Sequence, residues 1–263
     1  QGRRILTGKV EGLHNEYTQL QTGLAKRVME ALNIVGGAPA VPEAFKNESS
    51  DEQYLTAIGA MQGDLTRETL KPALDLLQAL RKEEGDSPRV LAALAQAYFR
   101  DSLLENNPAT AKEALDLAEK AMQGNPQSSE ARMISGKALA YLGKNNEAIT
   151  AYRAILERQP SNYDALLGLA WAYAGKKEFA QAEGLHQSAI THWPNYWGSY
   201  NELGVFHFNQ GHYQQALTAF QRVTQLNPDG PSGWVNVGNV YLKLGQYSRA
   251  ENCYREAANK TSG

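Results

Sequence analysis

"YNELGVFHFNQGHYQQALTAFQRVTQLNP", Tyr200 to Pro228, decides the fold of this chain. It reads as two amphipathic helical segments that turn at Gly211 and stop at Pro228. Gly204 in the first and Ala216 in the second are small, so two helices can approach closely there. Tyr200, Leu203, His207 and Phe220 are large and fill the space to neighbouring elements. The same spacing recurs outward from this stretch. Pro126, Pro160, Pro194 and Pro228 fall 34 residues apart. With these prolines counted as position 32, position 20 holds Ala148, Ala182, Ala216 and Ala250. Position 8 holds Gly136, Ala170, Gly204 and Gly238, and position 24 holds Tyr152, His186, Phe220 and Tyr254. Gly143, Gly211 and Gly245 at position 15 end each first helix, and the proline keeps each second helix from running on.

A 34-residue period signals a solenoid of helical hairpins, and together with "WVNVGNVYLKLGQYSRAENCYREA" (Trp234 to Ala257) it resembles the tetratricopeptide repeat (TPR) family. The resemblance implies an all-α fold, a right-handed superhelix with a concave groove, and binding of peptides, helices or other domains. About a dozen helices of roughly 12–15 residues, each ~20 Å long, are expected.

Upstream the period stretches. "VLAALAQAYF" (Val90 to Phe99) and "AKEALDLAEKAM" (Ala111 to Met122) form one pair, separated by about seven extra residues near "DSLLENNPA". "DEQYLTAIGAMQ" and "TRETLKPALDLLQALRKE" form a weaker pair before it. Six repeats are expected over 51–263, the first two irregular. Leu13, Tyr17, Leu20, Leu24, Val28 and Leu32 make an apolar stripe at helical spacing. Residues 11–50 are therefore read as an N-terminal capping helix and its "GGAPAVPEAF" linker, and residues 1–10 as the remnant of a preceding domain, the one place where a strand is expected. The chain opens on Gln1 rather than Met and is read as a fragment of something longer. Without a capping helix after Ala258, either the native chain continues or another molecule covers the last repeat, a second copy included.

The composition fits a water-soluble repeat: 263 residues, 42% hydrophobic, 21% charged, net charge -2. The near-neutral balance gives no electrostatic case for nucleic acid or an anionic membrane. The single cysteine, Cys253, provides neither a disulfide framework nor a cysteine-based metal site. No apolar run approaches a membrane span. Catalytic and nucleotide-binding motifs are missing, and no cofactor, metal or enzymatic activity is expected. "HWPNYWGSY" (His192 to Tyr200) is dense in aromatics. The register puts Trp193, Tyr196 and Trp197 on the turn between repeats and Tyr200 in the core, which favours a packing seam over a ligand box. His186 and His207 fall at core-facing positions and are expected to be buried and hydrogen-bonded.

The concave positions 2, 5, 9, 12 and 13 are the expected partner-binding surface. They include Met133, Lys137, Tyr141, Leu167, Trp171, Asn201, Val205 and Phe208, with Asn239 in the last repeat. The apolar members form a strip of the kind that solvent-facing surfaces avoid, and Lys137, Asn201 and Asn239 can hydrogen-bond a peptide backbone. The alternative is that these side chains bury one another or that Trp171 covers a neighbouring helix. The same positions lack the Lys, Asn and Arg set of the two-carboxylate clamp for chaperone tails.

A narrower resemblance rests on "GRRILTGKVEGLHNEYTQLQTGLAKRVMEALNI", the proline-containing linker, a degenerate first repeat and "WPNYWGSYNELGVFHFNQGHY". This order is similar to the C-terminal sensory regions of bacterial serine/threonine kinases and of winged-helix regulators with TPR tails. It implies a scaffold or sensor with a protein or peptide partner, on either the cytoplasmic or the extracytoplasmic side of a membrane. A substrate-recruiting arm of an enzyme and a periplasmic or secretion assembly scaffold are the alternatives.

Overall fold

The computed structural model describes residue 45 and residues 48–62 and 65–261. The expected leader helix, the strand remnant and most of the linker lie outside the described residues.

Among the described residues there are twelve helices and no strand. In chain order they pair as α1 Glu48–Gln62 with α2 Arg67–Glu84, α3 Pro88–Glu105 with α4 Pro108–Gly124, and α5 Ser129–Tyr141 with α6 Asn145–Leu156. Then come α7 Tyr163–Gly175 with α8 Phe179–His192, α9 Trp197–Asn209 with α10 Tyr213–Leu226, and α11 Pro231–Lys243 with α12 Tyr247–Thr261. These six hairpins are the all-α repeat fold that the 34-residue period predicts. The chain divides into two units, residues 1–134 and 135–263, with the boundary inside α5.

In the first unit the seven extra residues are helix rather than loop. "DSLLE" continues α3 to 18 residues, and the turn is then made by two asparagines. Asn106 takes the left-handed conformation (φ 48°). Asn107 caps α4, its Oδ1 accepting from the Ala109 N–H at 3.0 Å, with Pro108 in the first turn. Within the extension of α3, Ser102 is buried and Leu104 packs against the core. The core runs through Leu70, Leu77 and Leu80 of α2 and Val90, Leu91 and Leu94 of α3. Buried Ser50 ties α1 to the end of α2 by donating to Glu84 Oε1 at 2.7 Å. Arg89 lies over the rings of Phe45 and Tyr54, 4.5 and 4.1 Å from their centroids, and pairs with Asp51 at 3.3 Å.

In the second unit a complementarity between positions 8 and 24 sets the contact inside each hairpin. A Cβ added at Gly136 would stand 2.8 Å from the Tyr152 ring, one at Gly204 2.5 Å from Phe220, and one at Gly238 2.7 Å from Tyr254. Tyr, Phe and Tyr therefore require glycine opposite. In the remaining hairpin the smaller His186 stands at position 24, and position 8 is Ala170. The Tyr152 ring is also pressed against Gly168 of the next hairpin. Side-chain volume is conserved across each seam, as close packing demands.

The turns repeat as strictly. Gly143, Gly211 and Gly245 have φ of 75°, 75° and 71°, and Lys177, at the same position of the fourth repeat, has φ of 63°. Only glycine enters this region without steric cost, so Lys177 is a strained member of a series of glycines. Lys177→Gly is expected to stabilise the fold by about 1 kcal/mol, read as a higher midpoint in urea. An unchanged or lower midpoint would show that the lysine side chain contributes more than its backbone costs.

Candidate partner-binding surface

The candidate face is made by the first helix of each hairpin. In the second unit, α5 presents exposed Lys137 and half-buried Tyr141, α7 presents Leu167 and Trp171, α9 presents Asn201, Val205 and Phe208, and α11 presents Asn239. From Leu167 onward all of these are half-buried. Met133 belongs to the first unit, where it is also half-buried.

Trp171 is anchored rather than free. Its ring meets His186 edge-on at 5.5 Å and Phe206 at 6.5 Å, and its indole N–H donates to Glu202 Oε2 at 3.0 Å. Half-buried on these contacts, it is an aromatic that would lose little freedom on binding. Val205 and Phe208 pack on the core of Leu217, Phe220 and Val237, with Phe208 5.6 Å from Tyr213.

The amides are organised. Asn236 Nδ2 donates to Asn201 Oδ1 at 2.8 Å, and Tyr254 OH donates to Asn239 Oδ1 at 2.8 Å. The first pair leaves Asn201 Nδ2 as a donor and Asn236 Oδ1 as an acceptor, a match for a peptide group.

Reading the sequence missed four residues of this face. Val235 and Leu242 are 38% and 47% exposed, the accessible apolar part of α11. They occupy positions 5 and 12, so the register itself would have found them. Glu202 and Asn236 both stand at position 6, one residue off the expected set. Polar side chains at that position of two successive repeats were the available signal.

The turn aromatics form a packed cluster. Tyr163 meets Trp193 and Tyr196 edge-on at 5.1 and 5.2 Å, and Tyr196 lies 6.0 Å from Trp197. Tyr200 differs from expectation: it is half-buried rather than core, because its OH reaches back to the Pro194 carbonyl at 3.0 Å. The histidines differ as well. His186 and His207 are buried, but both nitrogens of His186 and Nδ1 of His207 lack hydrogen-bond partners. His186 is walled by the rings of Trp171 and Phe206, the latter at 5.2 Å, and aromatic faces offer no strong acceptor. Burial first, and nearby His207 second, push its pKa down to about 4.

Among the described residues, no three His, Cys, Asp or Glu side chains gather as a metal site, and no helix is long and apolar enough to cross a membrane. Cys253 is buried, and burial pushes its thiol pKa up, away from reactivity.

Three family models match the second unit: Tetratricopeptide repeat over residues 135–200, TPR repeat over 207–245 and Tetratricopeptide repeat over 231–262. Anaphase-promoting complex subunit 3 of Schizosaccharomyces pombe is 25% identical over 220 residues, covering 83% of this chain and 32% of that protein. Protein O-mannosyl-transferase TMTC1 of Homo sapiens is 32% identical over 185 residues, covering 69% of this chain and 20% of that protein. The chain thus spans about a third or less of the length of these two relatives. Among solved structures, the type IV pilus biogenesis factor PilW superposes with a TM-score of 0.62 at 18% identity, covering 79% of this chain and 91% of that one. PilF of Pseudomonas aeruginosa gives 0.57 at 16% identity, covering 78% and 89%. At such identities the likeness is one of fold. The repeat models, the relatives and the six helical hairpins agree on one family, and this chain is a tetratricopeptide repeat protein.

Proposed function

We propose that the first-helix face of the second unit holds a segment of a partner protein, and that the chain acts as a non-catalytic interaction module of a larger signalling protein. The TPR fold supports a scaffold for protein–protein interaction, and such scaffolds generally do no chemistry of their own. The observation that carries the groove reading is the alternation on one face of anchored or accessible apolar groups with carboxamides. Trp171, Val205, Phe208, Val235 and Leu242 supply the apolar part, and the Asn201–Asn236 pair and Asn239 can hold a peptide backbone between them. The signalling context rests on the resemblance of the N-terminal residues and the linker to bacterial sensory regions. A second reading, a substrate-recruiting arm, is favoured by the match to part of an O-mannosyl-transferase. It uses the same face.

Site-specific photo-cross-linking tests the proposal. A benzophenone amino acid at Lys137 or Val235, in the full-length protein in its own cells, is expected to give a discrete protein adduct. The same group at exposed Gln159, in the turn after α6, is expected to give none. Adducts from Gln159 alone would place binding elsewhere.

A further inference from the structure

The opposite side of the second unit carries a separate groove. It lies between α8 and α10, is floored by α9, and encloses about 630 Å³, within the range of small-ligand and short-peptide sites. Ile190, Leu203 and Ala219 make its base apolar. Its walls are carboxamides: Gln187, Gln215 and Gln221 line it and make no side-chain hydrogen bond to another described residue.

Two further observations mark it as more than a crevice between helices. His207 contributes to the floor, is buried, and has an Nδ1 with no partner. Its other nitrogen faces Glu183 Oε1 at 3.8 Å. That carboxylate favours a proton on Nε2 and so leaves Nδ1 as an unmet acceptor. Arg222 is the one charged side chain in the lining. It is half-buried, and its Nη1 donates to Gln225 Oε1 at 2.9 Å. Its guanidinium lies 5.8 Å from the Tyr200 ring centroid, and no carboxylate among the described residues pairs with it. A fixed guanidinium with open N–H groups and no counter-ion is a carboxylate receptor.

We propose that this outer groove binds a short acidic peptide segment. A carboxylate pairs with Arg222, an apolar side chain rests on Ile190 and Leu203, and the peptide amides hydrogen-bond the glutamine carboxamides. Orientation follows from the charges. Tyr200, beside Arg222, and His207, beside Glu183, are seven residues apart on α9, about 10 Å at 1.5 Å per residue. Glu183 repels a carboxylate from its own end, so the acidic group is held at the Arg222 end. This site is independent of the first-helix face, and different variants separate the two.

The test uses capped hexapeptides in which leucine alternates with glutamate, alongside a second set with glutamine in place of glutamate. Binding is read by amide and imidazole shifts in nuclear magnetic resonance spectra of the intact protein. The acidic set is expected to move resonances of α8, α10 and His207 and to bind at least tenfold more tightly than the glutamine set. Arg222→Gln should abolish that preference, Thr218→Trp should occlude the groove, and Leu242→Ser should change neither. Circular dichroism of each variant checks the fold. The proposal is overturned if no groove resonance moves at millimolar peptide, if Arg222→Gln keeps the preference for glutamate, or if the shifts map to α7 and α11.

Discussion

Replacing Gly204 with leucine is expected to cost about 3 kcal/mol of folding stability, the upper part of the range for overpacked cores. A Cβ alone at this position would stand 2.5 Å from the ring of Phe220, which is itself buried among Ala216, Leu217 and Val237. The leucine side chain then has to enter a seam with no free volume, and α9 must separate from α10. Because repeats couple chiefly to their neighbours, the damage should spread to α8 and α11 rather than evenly along the chain. Hydrogen exchange can read that distribution. Gly184 in α8 is the control, since nothing lies within 4 Å of an added Cβ there. Gly184→Ala is expected to stabilise by up to about 1 kcal/mol from helix propensity alone. Equal urea midpoints for Gly204→Leu and the wild type would break the proposed pairing of positions 8 and 24.

Acidification should remove about 3 kcal/mol through His186 alone, from a pKa held near 4 in the fold against an ordinary 6.5. Above pH 6.5 the imidazole is neutral in both states and contributes no pH dependence. Between 6.5 and 4 the unfolded chain takes up the proton and the folded chain does not, so stability falls as pH falls. Below about 4 both states are protonated and the loss levels off. The position 8 and 24 rule supplies the control. His186→Phe alone overpacks Ala170, whereas His186→Phe with Ala170→Gly copies the Gly204 and Phe220 pair. The double variant should keep the fold and show a flatter stability profile between pH 7.5 and 4.5. If the wild-type slope persists in it, another group is responsible.

Most of the fold was legible because its constraints are local and periodic. Proline every 34 residues, alanine at position 20 and a small residue at position 8 each follow from a single contact that every hairpin must make. Departures came where tertiary context chose among local options. The residues between Phe99 and Ala111 carry two asparagines and a proline, and the sequence shows them only as an insertion that breaks the period. Most of them are helix, where Ser102 is buried and Leu104 packs against the first unit's core. Lys177 gave no sign of a left-handed backbone; only its place in the glycine series did. The histidines were placed correctly by register, but their missing partners depend on which rings surround them in space. In the candidate face, the nine positions follow from register. The Asn201–Asn236 bond and the Trp171–Glu202 bond join residues of different repeats, and no pattern within one repeat encodes them.

The most direct measurement is the affinity of the cross-linked partner for face variants. Trp171→Ala removes the central aromatic but also uncovers His186, so it belongs beside Leu242→Ser, whose side chain is accessible and whose loss should spare the fold. Truncating a central interface aromatic typically costs 2 kcal/mol or more, about thirtyfold in affinity. Calorimetric titration at a temperature where circular dichroism shows each variant folded is expected to give that loss for Trp171→Ala and a smaller one for Leu242→Ser. Wild-type affinity in both variants would contradict binding on the first-helix face.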